Sequence, residues 1–242
     1  MTHVAAIIIG DEILSGKIRD ENTPLLIALC AERGASLKRV AVIGDSPEDI
    51  AEEVRLCSDR YDLVITSGGV GPTHDDRTVE GVALAFGVET EQSDEVEKMI
   101  RAFWGRRFTE AALRMARMPV GGRLLFGADG LLPLVQFRNV ILFPGVPELF
   151  AAKLPSIHSQ ISGAPVHSVN LYLNSDESSV APMLDAVDAA HPEVTIGSYP
   201  RFARSADHRL WIVLEAADIA HARAAADELL QEIDPNEVVR VE

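Results

Sequence analysis

An α/β architecture, with helices on both faces of a mostly parallel sheet and a small α+β domain behind it, is what this 242-residue sequence predicts. Three observations carry that expectation. Compact apolar runs at 4–9 and 63–66 have the pattern of strands buried on both faces, and 37–43 reads as a further strand between them. Helix-like segments with their own start and stop signals alternate with these runs, which implies right-handed crossovers and parallel pairing. After Gly163-Ala164-Pro165 the order becomes strand, helix, strand, strand, helix, so domains are expected at 1–163 and 164–242.

Taken in order, the strand at 4–9 ends at Gly10. Asn22-Thr23-Pro24 gives a cap and a proline suited to a helix start, and the helix runs to Arg33 before Gly34 stops it. After the second strand, Ser46-Pro47-Glu48-Asp49 opens a helix with acids in its first turn, where the helix dipole favours them. The third strand delivers the chain into a glycine-rich loop, and a helix follows from Arg77 to Phe86, stopped by Gly87. Ser93 caps a helix reaching Trp104, and 109–116 reads as another. Short strands are then expected at 123–126, 131–137 and 140–143, the last two joined by a hairpin at Arg138-Asn139. Pro144-Gly145-Val146-Pro147 leads into a helix that must bend or end near Pro155. In the second domain a strand at 166–173 precedes a helix at 176–189 capped by Ser175-Asp176, and an alternating strand at 210–214 precedes the last helix at 219–233.

Composition narrows the function classes. A formal net charge of −15 disfavours a nucleic-acid partner, because phosphate-backbone affinity is built from Lys and Arg. Only Cys30 and Cys57 are present, with neither a C-x-x-C pair nor a disulfide framework, which suits a reducing compartment. With no basic leader and no bilayer-length apolar stretch, the chain reads as cytoplasmic, with no membrane partner.

The loop Thr66-Ser67-Gly68-Gly69-Val70-Gly71-Pro72-Thr73-His74-Asp75-Asp76 joins two opposed signals. Its glycines let backbone N–H groups turn toward a phosphate, while the aspartates behind them would repel that anion. A divalent cation resolves the conflict. Ligands of open α/β sheets bind outside the carboxyl ends of the strands, and the first strand ends in a further acidic pair, Asp11-Glu12. These hard oxygen donors suit Mg²⁺ or Mn²⁺ shared with a substrate phosphate. The plainer readings are that Asp75 or Asp76 caps the following helix, that Asp11-Glu12 is an exposed loop pair, and that His74 is simply solvated. The spacing fits neither a Walker loop nor the G-x-G-x-x-G fingerprint. The turn at Gly145 either aims a helix N-terminus at a phosphate or is an ordinary rigid turn. Arg101, Arg106, Arg107, Arg114 and Arg117 form one basic cluster, and Arg201, Arg204 and Arg209 another; Arg201 and Arg204 lie in a loop able to reach an anionic ligand.

Gly10-Asp11-Glu12-Ile13-Leu14-Ser15-Gly16 with Asp20 and Asn22, the loop from Gly68 to Thr78, and Phe143-Pro144-Gly145-Val146-Pro147-Glu148 together resemble the molybdopterin-binding-like domain of the CinA competence/damage-inducible proteins. The resemblance runs from Val4 to about Lys153, and Ile196-Gly197-Ser198-Tyr199-Pro200 extends it into the family's small second domain. It implies a MogA-like three-layer α/β/α fold. It also implies a metal-dependent pyrophosphatase acting on ADP-ribose or FAD, using Mg²⁺, Mn²⁺ or Co²⁺, in a homo-oligomer for which a dimer is favoured over a trimer. The alternative is a pterin- or nucleotide-binding protein with little or no catalysis. The family's downstream nicotinamide-nucleotide deamidase domain is absent from a chain ending at Glu242, and Gly127-Ala128-Asp129-Gly130-Leu131-Leu132-Pro133 departs from the usual pocket loop. The combined expectation is Asp76, Asp75 and Glu12 as catalytic residues, with His74 as a lower-ranked aid to proton transfer. Gly68, Gly69, Gly71, Thr73 and Gly145 bind substrate, and Asp76 and Asp11 hold the metal.

Overall fold

The computed structural model describes residues 1–128, 130–203 and 207–242. Internal contacts divide the chain into Met1–Gly163 and Ala164–Glu242. In the first unit the elements are β1 (His3–Ile9), α1 (Asp11–Leu14), α2 (Asn22–Glu32), β2 (Ser36–Ile43), α3 (Pro47–Arg60), β3 (Leu63–Ser67), α4 (Thr78–Phe86), β4 (Thr90–Gln92), α5 (Asp94–Trp104), β5 (Arg117–Pro119), β6 (Arg123–Leu125), β7 (Leu134–Phe137), β8 (Val140–Phe143) and α6 (Pro147–Lys153).

The central sheet has the order β2-β1-β3-β8-β7-β6. Its first four strands are parallel and the hairpin strands β7 and β6 antiparallel. Because β1 and β3 are buried along nearly their whole length, each needs a helical layer on both faces. The alternation in β1 supplies it: Val4, Ala6 and Ile8 face a cluster with Leu26 and Leu29 of α2 and Phe150 of α6. Ala5, Ile7 and Ile9 face Ile50 and Val54 of α3 and Val82 of α4. The expected three-layer α/β arrangement is thus realised. The chain leaves β1 for β2 on one side and returns to β3 on the other, so the sheet order reverses at the carboxyl ends of β1 and β3, where open sheets place their ligands.

Several local signals act as the sequence implied. Ser46 and Ser93 accept the Asp49 and Val96 N–H groups at the starts of α3 and α5, and Gly87 closes α4 in the left-handed region. Arg138, with φ 52°, turns the hairpin between β7 and β8. Others differ. Asn22 is not a cap: Asp20 Oδ1 accepts the Asn22 and Thr23 N–H groups, and Asn22 turns inward. The segment Glu110–Ala116 is a 3-10 helix rather than an α-helix, and the two-stranded sheet of β4 and β5 has too few residues to show a period.

The second unit comprises β9 (His167–Leu173), α7 (Glu177–Ala190), β10 (Thr195–Pro200), β11 (Leu210–Ala216), α8 (Ile219–Glu232) and β12 (Val238–Val241). Its antiparallel sheet, ordered β10-β11-β9-β12, gives the split βαββαβ arrangement. The last strand was not anticipated. Leu171, Ile212 and Leu214 pack against Val180 and Val187 of α7 and Ala222, Ala226 and Leu229 of α8. Asp176 precedes α7 without a side-chain capping bond and instead pairs with Arg209. Arg201 is exposed, while Arg204, like Asp129 of the 127–133 loop, lies outside the described residues.

Both cysteines are free and buried. Burial pushes the Cys30 thiol up to about 11 and the Cys57 thiol up to about 12, the latter helped by its hydrogen bond to Glu53. Since the thiolate is the reactive form, neither should react with a disulfide reagent at pH 8 until the chain is unfolded. Prompt titration of one equivalent in the folded protein would contradict this.

Candidate functional site

Three strand ends converge on the glycine loop. Gly68 N–H donates to the Phe143 carbonyl at 3.1 Å, tying β3 to β8. A Cβ on Gly68 would stand 2.3 Å from the Ile9 carbonyl oxygen of β1, and one on Gly145 would stand 3.2 Å from Gly68 Cα. Gly68 and Gly69 have φ of 104° and 64°, which side-chain-bearing residues adopt only with strain. The turn leaves the loop's carbonyls pointing back into the protein: Thr78 N–H donates to Gly69 O at 2.9 Å and Thr78 Oγ1 to Gly68 O at 2.7 Å. Among the described residues, the N–H groups of Gly69, Val70 and Gly71 have no backbone acceptor, the condition for a cradle that binds an anion.

Neither aspartate caps α4. Arg77 occupies the cap position with no side-chain bond, and Asp76 bends back so that its Oδ2 accepts Thr73 N–H at 2.7 Å and Thr73 Oγ1 at 2.6 Å. The Asp76 carboxylate is thereby held under Gly71, where a Cβ would meet it at 2.7 Å. His74 is almost fully exposed, 3.8 Å from Asp75.

A cavity of about 930 Å³ opens over this loop, lined entirely by residues of the first unit. Gly68, Gly69, Gly71, Thr73, Asp76, Glu12 and Gly145 all line it; Asp11 and Asp75 are not among its lining residues. Asp11 sits in the first turn of α1, with its carboxylate beside Gly44 and its N–H donating to Asp45 Oδ2 at 3.1 Å. Burial, reinforced by the negative charges of Asp11, Glu12 and Asp75, pushes Asp45 above the ordinary carboxylate range, against the pull of the Asp11 N–H. Among the described residues no three of His, Cys, Asp and Glu converge closely enough to hold a metal unaided.

Residues for which the sequence suggested no role in the site complete it. Asn22, only 5% exposed, donates from Nδ2 to Ser67 Oγ and to Gly145 O, both at 2.8 Å, pinning the glycine turn to the Pro144-Gly145 turn. Arg114 donates to the Pro72 carbonyl at 3.3 Å, and Arg19, Arg77 and the buried Lys153 also line the cavity. Asp45 could have been found by the same logic as Asp11, since it directly follows the strand at 37–43. Asn22 read as a helix cap and as part of the family motif, and neither reading named its partners.

The reversed strand order, the glycine turn at the switch point and the acid held against Gly71 all belong to one mostly parallel α/β domain. The chain belongs to the molybdopterin-binding-domain family that includes the CinA-like proteins: residues 5–161 match the model described as the probable molybdopterin binding domain, and 165–242 match the FAD synthase middle domain. It is 34% identical to a "Probable FAD synthase" of Caenorhabditis briggsae, over 93% of this chain and 49% of that one. With a "CinA-like protein" of Myxococcus xanthus the identity is 30%, over 89% of this chain and 55% of the other. A crystal structure of the protein CinA from Thermoplasma acidophilum, of unknown function by its own description, superposes with a TM-score of 0.61 at 30% identity, over 66% of this chain and 98% of that one. The chain spans about half the length of the FAD synthase relatives it matches. No described helix is long and apolar enough to cross a membrane.

Proposed function

We propose that the first unit binds a nucleotide through its diphosphate and hydrolyses that linkage, with ADP-ribose or FAD as the substrate class. The observation that carries this reading is the open glycine cradle with Asp76 held against it inside one cavity. Residues 68–71 would receive the phosphate oxygens on backbone N–H groups, and Arg19, Arg77 and Arg114 supply positive charge along the same wall. Glu12, at the end of β1, stands within the cavity as the carboxylate available to take a proton from water.

Among the described residues no three protein ligands gather here, so the donor set fits a divalent ion brought in with the diphosphate and held by one or two carboxylates rather than a resident ion in a protein cage. In this reading Asp76, which lines the cavity, holds the ion, and Asp11 and Asp75, which do not line it, are weaker candidates. Such an ion, when bound, would polarise the phosphoryl oxygens and lower the pKa of an attacking water. The reading also takes the chain as a homo-oligomer, a dimer first, open to test by light scattering.

Incubation with ADP-ribose or FAD and Mg²⁺, Mn²⁺ or Co²⁺ is expected to release AMP, and Asp76→Asn to lower the rate at least about tenfold. No AMP with any of these ions would sink the hydrolase, and full activity of Asp76→Asn would sink the site assignment. A second reading, binding without cleavage, is favoured by the Asp76 carboxylate being already engaged by Thr73. It predicts nucleotide or pterin affinity with no product.

A further inference from the structure

The helix α5 spends one face on a small core of its own. Val96 and Ile100 are buried with Ala112 and Ala116 of the 3-10 segment, and Trp104 is packed against that cluster. Phe103 is turned away from it and is 66% exposed. Its ring meets Trp104 edge-on, with centroids 4.6 Å apart and planes at 69°. Both side chains, with Met99 and Met115, line the cavity that the glycine loop also lines. An exposed aromatic ring braced by a second ring, in a cavity that two polarizable thioethers also line, is surface that a ligand would cover. The cavity's volume is also far more than a lone phosphate requires.

We propose that Phe103, braced by Trp104, is the seat for the planar heterocycle of the ligand, so that the cavity selects molecules carrying both a phosphate and an aromatic ring. This rests on the nucleotide reading above and adds the group that recognises the base. Stacking on an aromatic side chain is sequence-tolerant, because every base presents a π-face, so adenine, flavin and pterin rings fall in one class.

The test uses the whole chain and ligands with no diphosphate to cleave. Calorimetry should find AMP and FMN binding at least about tenfold more tightly than ribose 5-phosphate. Phe103→Ala should remove that preference while leaving the ribose 5-phosphate affinity within about twofold, and Phe103→Tyr should retain it. An unchanged preference in Phe103→Ala, or none in the parent protein, overturns the proposal. Intact base preference without AMP release from ADP-ribose would reject hydrolysis alone and leave the seat standing.

Discussion

Gly68→Ala should destabilise the first unit by about 3 kcal/mol or more, lowering its melting temperature by about 6 to 12 °C. Two costs coincide at this position. The backbone sits at φ 104°, and the added methyl would stand 2.3 Å from the Ile9 carbonyl oxygen, a backbone atom of a central strand that cannot swing aside. Gly87→Ala is the matched control, since Gly87 has φ 66° but no atom within 4 Å of a built Cβ. It should lose only about 1 kcal/mol. Thermal unfolding followed by circular dichroism decides the matter, and equal losses at the two glycines would show that crowding against β1 contributes nothing.

Asn22→Ala should cost about 1 to 3 kcal/mol, because it strips a hydrogen bond from the buried Ser67 hydroxyl and another from the carbonyl of the exposed Gly145. Ser67 is 2% exposed, and the Gly145 carbonyl accepts the same amide group. Asn22→Asp separates hydrogen bonding from size. A carboxylate there faces the Gly145 carbonyl with no proton to offer, so its folded-state pKa is raised above the unfolded value. The sign follows: protonated, the side chain can donate, so this variant is most stable below the ordinary carboxylate range and weakens as pH rises through the raised folded value. Urea midpoints at several pH values would show it, and a pH-independent loss would point to shape rather than the missing donor.

The strands of the first unit were legible because each buried parallel strand is an unbroken apolar run, and the loop could be placed because β3 leads directly into it. What the side chains of that loop do was less legible. Asp75 and Asp76 stand where caps usually stand, yet the left-handed turns at Gly68 and Gly69 bring Thr78 onto the loop carbonyls and leave Asp76 to bond Thr73. Asn22 looked like a cap because polar residues at helix starts are alike in sequence; its true partners lie 45 and 123 residues away. Strands β4, β5 and β12 are three or four residues long, too short for a period of two to register. Phe103 lies in the helix expected to reach Trp104, and nothing in that pattern marks it as the 66% exposed ring it is.

The convergence of β1, β3 and β8 at Gly68 and Gly145 also bears on how such a chain can change over time. The proposed anion cradle is moulded from main chain, so a side chain added at Gly68 can only disturb it. The surfaces that would tell one ligand from another sit on α5 and its 3-10 partner, whose small cluster is separate from the sheet's two cores. Inheritance can therefore keep the cradle fixed while the lip drifts, and descendants of one framework can come to prefer different rings without refolding anything beneath them.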